Sequence, residues 1–255
     1  MEAARKSGID RQAHSESCLL ESSADSYAGR LFPMSNLATH GKELHVKLQI
    51  AIDLLSVPDA LALLHKVAPY VDVIELGTPL IKQEGLNVVT DIKAAHPEKL
   101  IFADMKTMDA GELEADIAFK AGADIMTVLG LAGDSTIAGA VKAGKAHGKA
   151  VVADMIGVAD KPKRMKELKA LGVSWVELHS GLDEQAQAGY SIESLLEVGR
   201  NAEIPFSVAG GINTEQIEGV ESAGATIAVA GAAIYGAKDP EAAAKRLRER
   251  IKHLG

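Results

Sequence analysis

The run Ile101-Phe102-Ala103-Asp104-Met105-Lys106-Thr107-Met108-Asp109 carries the densest chemistry in the chain. An apolar stretch closes on two carboxylates and an ammonium in the spacing D-x-K-x-x-D. Alternation along a strand turns Asp104 and Lys106 to one face and Ile101, Ala103 and Met105 to the other. Charge at the end of an otherwise apolar strand needs a reason, because an unpaired buried charge is costly. One reason is a structural ion pair that closes the strand. The other is an acid–cation cluster that moves protons or steadies an anion.

Other apolar runs end the same way. Asp53 closes Lys47–Asp53, Glu75 stands just before Gly77, Asp154 falls in Ala150–Ile156, and His179 ends Trp175–His179. The elements that must position them follow one repeating theme: a short apolar strand, a polar loop, then a helix rich in Ala, Leu, Lys and Glu. Strands are expected at Lys47–Asp53, Val71–Gly77, Leu100–Lys106, Asp124–Gly130, Ala150–Ile156, Trp175–His179, Phe206–Gly210 and Ile227–Gly231. One helix is expected in each interval, among them Leu86–Ala95, Thr214–Ala223 and Pro240–His253, and another begins near Ala110. Gly122, Gly172 and Gly224 follow helices, where a left-handed C-cap is wanted.

Eight β–α units predict an α/β fold, a single (β/α)8 TIM barrel, over 46–255. A doubly wound sheet would carry a glycine-rich fingerprint after its first strand, and Ile52-Asp53-Leu54-Leu55-Ser56 has no glycine. In such a barrel the chemistry gathers at the C-terminal ends of the strands, which is where the acids, Lys106 and His179 fall. The last two strands end instead in small residues, Gly210-Gly211 and Gly231-Ala232, whose backbone N–H groups let an anion approach closely. Phosphate binding after strands seven and eight is therefore expected. Convergent carboxylates without cysteine suggest a hard cation, Mg2+, with Glu75 and Asp104 as its ligands. His179 suits a general base. Lys106 has carboxylate neighbours that favour its ammonium form, which fits an oxyanion donor better than a Schiff-base nucleophile.

Bulk properties narrow the classes. The chain has 255 residues, 47% hydrophobic and 24% charged, with a formal net charge of −8 and no basic stretch interleaved with aromatics. These values argue against a nucleic-acid surface. A single cysteine, Cys18, excludes an intramolecular disulfide and a cysteine metal cluster. No apolar run approaches the ~20 residues that span a bilayer, and no secretory signal is read at the N-terminus. A cytoplasmic enzyme is the expectation. Residues 1–45 lack sustained periodicity and are expected to form a poorly structured extension, within which Met34 offers an alternative start.

With these residues in place, the stretch from Val46 onward resembles the orotidine 5′-monophosphate decarboxylase suprafamily, whose hallmark is D-x-K-x-x-D at the third strand. The segments Ile50–Leu55, Ile74–Leu80, Phe102–Ala118 and Val208–Gly211 carry the likeness. Within the suprafamily they side with a formaldehyde-fixing aldolase branch. A sister branch, the 3-keto-L-gulonate 6-phosphate decarboxylases, carries Glu, Arg, Thr and Arg where this chain has Asp154, Leu182, Ala209 and Ala232. Orotidine-monophosphate decarboxylases carry a phosphate arginine where Ala232 stands. The resemblance implies Mg2+-dependent condensation of D-ribulose 5-phosphate with formaldehyde to D-arabino-hex-3-ulose 6-phosphate, through an enediolate. It also implies that Asp53 and Asp154 orient Lys106 and substrate hydroxyls. A homodimer is implied, with Asp109 reaching into the partner's site, although Asp109 also suits the N-cap of the following helix. The sister decarboxylase and a non-catalytic sugar-phosphate-binding barrel are the alternatives.

Overall fold

The strands are mostly apolar on both faces, the pattern of parallel strands covered by helices on one side and closed on themselves on the other. The computed structural model describes residues 46–251. The expectations placed on the N-terminal extension, including Cys18 and Met34, and the C-terminal helix end at His253 lie outside those residues.

The elements run β1 (Lys47–Ile52), α1 (Val57–Val67), β2 (Val73–Leu76), α2 (Thr78–Glu84), α3 (Asn87–Ala95), β3 (Leu100–Thr107), α4 (Gly111–Lys120), β4 (Ile125–Leu129) and α5 (Asp134–His147). They continue β5 (Ala150–Asp154), α6 (Lys161–Leu171), β6 (Trp175–His179), α7 (Leu182–Gln185), α8 (Glu193–Arg200), β7 (Phe206–Ala209), α9 (Ile217–Ser222), β8 (Ile227–Ala230), α10 (Ala232–Tyr235) and α11 (Pro240–Ile251). The strands pair in sequence order, all parallel, and β8 returns to β1 to close the barrel. The expected barrel is present.

Outward side chains such as Ile74, Leu76, Ile101, Ala103, Val176 and Leu178 pack beneath the helices in one continuous core. Inward ones change character along each strand. Val73, Phe102, Ile125, Val152 and Trp175 form an apolar plug inside the barrel. Two residues further on, the same faces carry Glu75, Asp104, Thr127, Asp154 and Glu177, all buried. The period of two along a strand thus stacks a polar layer on an apolar one.

Several expected boundaries shift. Three intervals hold two helices each, α10 preceding α11 after β8: Thr78-Pro79-Leu80 opens a helix of its own after β2, with Pro79 in the first turn, where its missing N–H costs nothing. Likewise α7 precedes α8. Helix α9 starts at Ile217 rather than Thr214, because the Asn213 carboxamide holds the N–H groups of Glu215 and Gln216 in a turn. Gly172 does cap α6 in the left-handed region, at φ 88° and ψ 26°. At the opposite end of the barrel the carboxylates are paired with cations. Asp124 accepts from Lys93 at 2.8 Å, Lys149 at 2.6 Å and the Ile101 amide at 3.0 Å, a stabilising arrangement. No helix among the described residues is long and apolar enough to cross a membrane.

Candidate active site

At the C-terminal mouth the balance is different. Glu75, Asp104, Asp154 and Glu177 are all buried there, and the nitrogen groups set among them are Lys106 and His179. Asp154 joins the two. Its Oδ2 accepts from Lys106 Nζ at 2.5 Å and contacts His179 Nδ1 at 2.9 Å, while Oδ1 accepts from the Ile156 amide at 2.9 Å. Burial alone would raise the Asp154 pKa, but His179 and Lys106 outweigh it and hold the carboxyl at about 2. The effect is reciprocal. Burial would lower both His179 and Lys106, yet Asp154 raises the histidine, and Asp104 with Asp154 raises the lysine, which stays an ammonium.

Lys106 reaches Asp104 less closely, at 3.3 Å to Oδ1 and 3.1 Å to Oδ2. Asp104 also accepts from Thr127 Oγ1 at 2.8 Å and from Thr78 Oγ1 at 2.7 Å. The two side chains share the site as the alternation argument requires, but for a different reason. The β3–β4 register shifts between Ala103 and Thr107, and Lys106 adopts φ 44°. A left-handed lysine costs on the order of 1–3 kcal/mol and persists only where surrounding contacts impose it.

Glu75 Oε2 accepts from Gln49 Nε2 at 2.7 Å. Burial first, then the neighbouring charges of Glu177 and Asp104, push its pKa well up. Glu177 is pushed up to about 7 by burial and by Asp154, and its Oε2 accepts from Ser207 Oγ at 3.1 Å. Carboxylates raised by burial and by one another are short of positive charge, the reverse of Asp124, whose lysines hold it low against its burial. A divalent cation would relieve that shortage; among the described residues Asp154, Glu177 and His179 bring ligand atoms within 4.8 Å of one another, and the charges of Glu75 and Asp104 interact with that of Glu177 beside them. Oxygen donors on adjacent strands, in register at Glu75 and Phe102 with Asp104 two residues on, suit Mg2+.

The remaining expected residues distribute as follows. Asp53 lies at the β1 end; burial and then Asp104 raise its pKa, with Lys106 and His179 opposing. Its carboxylate fills the space beside Gly77, where a Cβ would fall 2.1 Å from Oδ1. Gly210 and Gly211 take φ 130° and 74°, and Tyr190 Oη donates to the Gly210 carbonyl at 2.8 Å. A Cβ on Gly210 would be strained at that φ and would sit 3.0 Å from the Ser180 carbonyl oxygen, so the turn favours glycine. Gly231 precedes the short helix α10, which begins at Ala232. Asp109 does not join the cluster of its own chain. It is exposed, its Oδ1 accepts from the Ala110 amide at 2.7 Å, and the N-cap of α4 is Ala110 in the left-handed region. The expected N-cap role of Asp109 is thus corrected: its carboxylate closes on the next amide rather than on one in the first turn of the helix.

Sequence reasoning missed Glu177, Thr127, Thr78, Gln49 and Ser207. Alternation from His179 marks Glu177 as inward-facing, so that signal was present. The threonines carry no chemical signature: Thr127 is revealed only by its place across the bulge and Thr78 only by its place at the start of α2.

The sequence model of the orotidine 5′-phosphate decarboxylase / HUMPS family matches residues 46–247. A 3-hexulose-6-phosphate synthase of Mycobacterium gastri is 65% identical over 206 residues, covering 81% of this chain and 100% of that protein. The 3-hexulose-6-phosphate synthase of Methylomonas aminofaciens is 46% identical over 200 residues, covering 78% of this chain and 96% of its own. A crystal structure of a 3-hexulose-6-phosphate synthase superposes with a TM-score of 0.80 at 65% identity, covering 81% of this chain and 100% of that one.

Proposed function

The chain belongs to the orotidine 5′-phosphate decarboxylase / HUMPS family, and from that premise we propose that it is a lyase of the aldolase type. In this reading it condenses D-ribulose 5-phosphate with formaldehyde to give D-arabino-hex-3-ulose 6-phosphate. The observation that carries the reading is Asp154: one buried carboxylate oxygen holds both the base, His179, and the cation, Lys106. The names of the relatives support the substrate class.

The Gly210-Gly211 turn and the backbone at Gly231 and Ala232 receive the phosphate through N–H groups. Glu75 and Asp104 would hold a Mg2+ ion, which would supply Lewis-acid stabilisation of developing negative charge. Asp154 keeps the Nδ1 proton on His179, which leaves Nε2 to remove a proton from C1. Breaking that C–H bond leaves an enediolate, and the Lys106 ammonium donates to its developing oxyanion. The C1 carbon then attacks the formaldehyde carbon. The new alkoxide takes a proton back from His179, so protons and charge balance over the cycle. Asp53, beside the cluster, orients Lys106 and the sugar hydroxyls. The absence of arginine at Leu182 and Ala232 favours this reaction over decarboxylation of a 3-keto sugar-acid phosphate, whose intermediate and phosphate would use such cations.

The chemistry is separable in one assay. With Mg2+, ribulose 5-phosphate and formaldehyde, the purified chain is expected to consume formaldehyde, and EDTA to stop it. Release of CO2 from 3-keto-L-gulonate 6-phosphate as the dominant activity would move the assignment to the sister reaction. Inactivity on both would favour a binding role.

The site is completed in this reading by a second copy, with Asp109 acting across a homodimer interface. Met108, next to Asp109 in the chain, and Leu113 and Ile117, one helical turn apart on α4, are exposed and would give that interface an apolar face. Mixing Asp109→Asn with Lys106→Ala protein, each nearly inactive, is expected to restore a substantial fraction of activity through heterodimers carrying one intact site. Additive, unrescued activities in a confirmed mixture would show that Asp109 does not act across the interface.

A further inference from the structure

Between the paired positions Ala103↔Met126 and Thr107↔Val128, the residues Asp104, Met105 and Lys106 of β3 stand opposite Thr127 alone on β4. A bulge of this kind breaks the ladder and leaves backbone groups to be satisfied some other way. Thr127 is fully buried, and its side chain does so. Oγ1 accepts from the Lys106 amide at 2.9 Å and donates to Asp104 Oδ1 at 2.8 Å. The directions are fixed: a carboxylate only accepts and an amide only donates, so the single hydroxyl proton goes to Asp104 and a lone pair takes the Lys106 N–H.

We propose that Thr127 is the positioning residue of this site, fixing the Asp104 carboxylate and the left-handed backbone of Lys106 with one hydroxyl. The inference rests on the reading of Asp104 and Lys106 as part of the reacting cluster. No other side-chain oxygen among the described residues accepts from the Lys106 amide. Without that bond the amide is left without a partner and the lysine loses a constraint that opposes its relaxation to negative φ. Its ammonium would then be displaced from Asp154. Thr78 still holds the other Asp104 oxygen, so the carboxylate stays near its place while the lysine does not.

The test compares Thr127→Val, which keeps shape and β-branching but loses the hydroxyl, with Thr127→Ser, which keeps the hydroxyl but loses the methyl. A displacement of the lysine by about 1 Å predicts a fall in kcat of about 100-fold for Thr127→Val, with KM for the sugar phosphate and the Mg2+ affinity measured by calorimetry moving far less. Thr127→Ser is expected to recover most of the rate. In a Lys106→Ala background, Thr127→Val should add little further loss, because the two act as a unit. A crystal structure of Thr127→Val should show Lys106 out of the left-handed region. The inference is overturned if serine is the damaging replacement and valine the benign one, since the methyl and its packing would then matter. An additive loss in the Lys106→Ala background would overturn it as well. Should the valine variant not fold, the serine variant still discriminates: near wild-type turnover supports the hydroxyl and a severe loss sinks it. If the wild-type chain turns over neither substrate, the functional reading fails, and the conformation of Lys106 in the Thr127→Val crystal still supports or refutes the positioning role.

Discussion

Asp154→Asn is expected to lower kcat by on the order of 10³–10⁴, the scale seen when the carboxylate behind a catalytic histidine is neutralised. The loss has two sources. The carboxamide no longer holds His179 with its Nδ1 proton inward, and it removes the charge that faces Lys106 at 2.5 Å. A pH profile separates these from simple damage. His179 acts as a base only when neutral, so kcat/KM rises with pH through its pKa, which Asp154 raises above the ordinary histidine value against the opposing effect of burial. In Asp154→Asn burial acts with less opposition, and the ascending limb moves to lower pH. A limb that stays in place while the rate falls would show that Asp154 does not act on His179.

His179→Asn is expected to slow exchange of the C1 proton of ribulose 5-phosphate by about 10²–10⁴, the usual contribution of a positioned general base. Phosphate affinity should hardly change, because the Gly210-Gly211 turn is fixed from another direction by Tyr190. Asparagine retains a polar group toward Asp154, so the cluster keeps its hydrogen bonding. Equal losses in exchange and in inhibition by inorganic phosphate would mean that His179 holds the architecture and does not move the proton.

The barrel was legible because its grammar is local. Apolar runs of strand length alternate with Ala/Leu-rich helices, and on the inward face of β2 to β6 an apolar residue gives way to a polar one two residues on. The acids of the mouth were legible for the same reason. What a period of two cannot report is a departure from it. Lys106 faces the site at φ 44° within a bulge, and the residue that allows this, Thr127, is unremarkable on paper. Thr78 is similar: it lies in a segment that looks like a loop, but in the fold it opens α2 and its hydroxyl stands 2.7 Å from the Asp104 carboxylate and 2.8 Å from the Asp104 carbonyl oxygen. Asp109 illustrates the converse. Its place in a D-x-K-x-x-D run suggests membership of the cluster, yet strand β3 ends at Thr107 and the following left-handed residue at Ala110 carries it outward.

Solvent exchange at C1 tests the central claim most directly. With ribulose 5-phosphate, Mg2+ and no formaldehyde in deuterated water, proton NMR should show one of the two C1 hydrogens lost stereospecifically. The exchange should stop when EDTA is added. Retention of both hydrogens by an enzyme that goes on to consume formaldehyde would contradict an enediolate drawn by His179 and held by this cluster of acids and lysine.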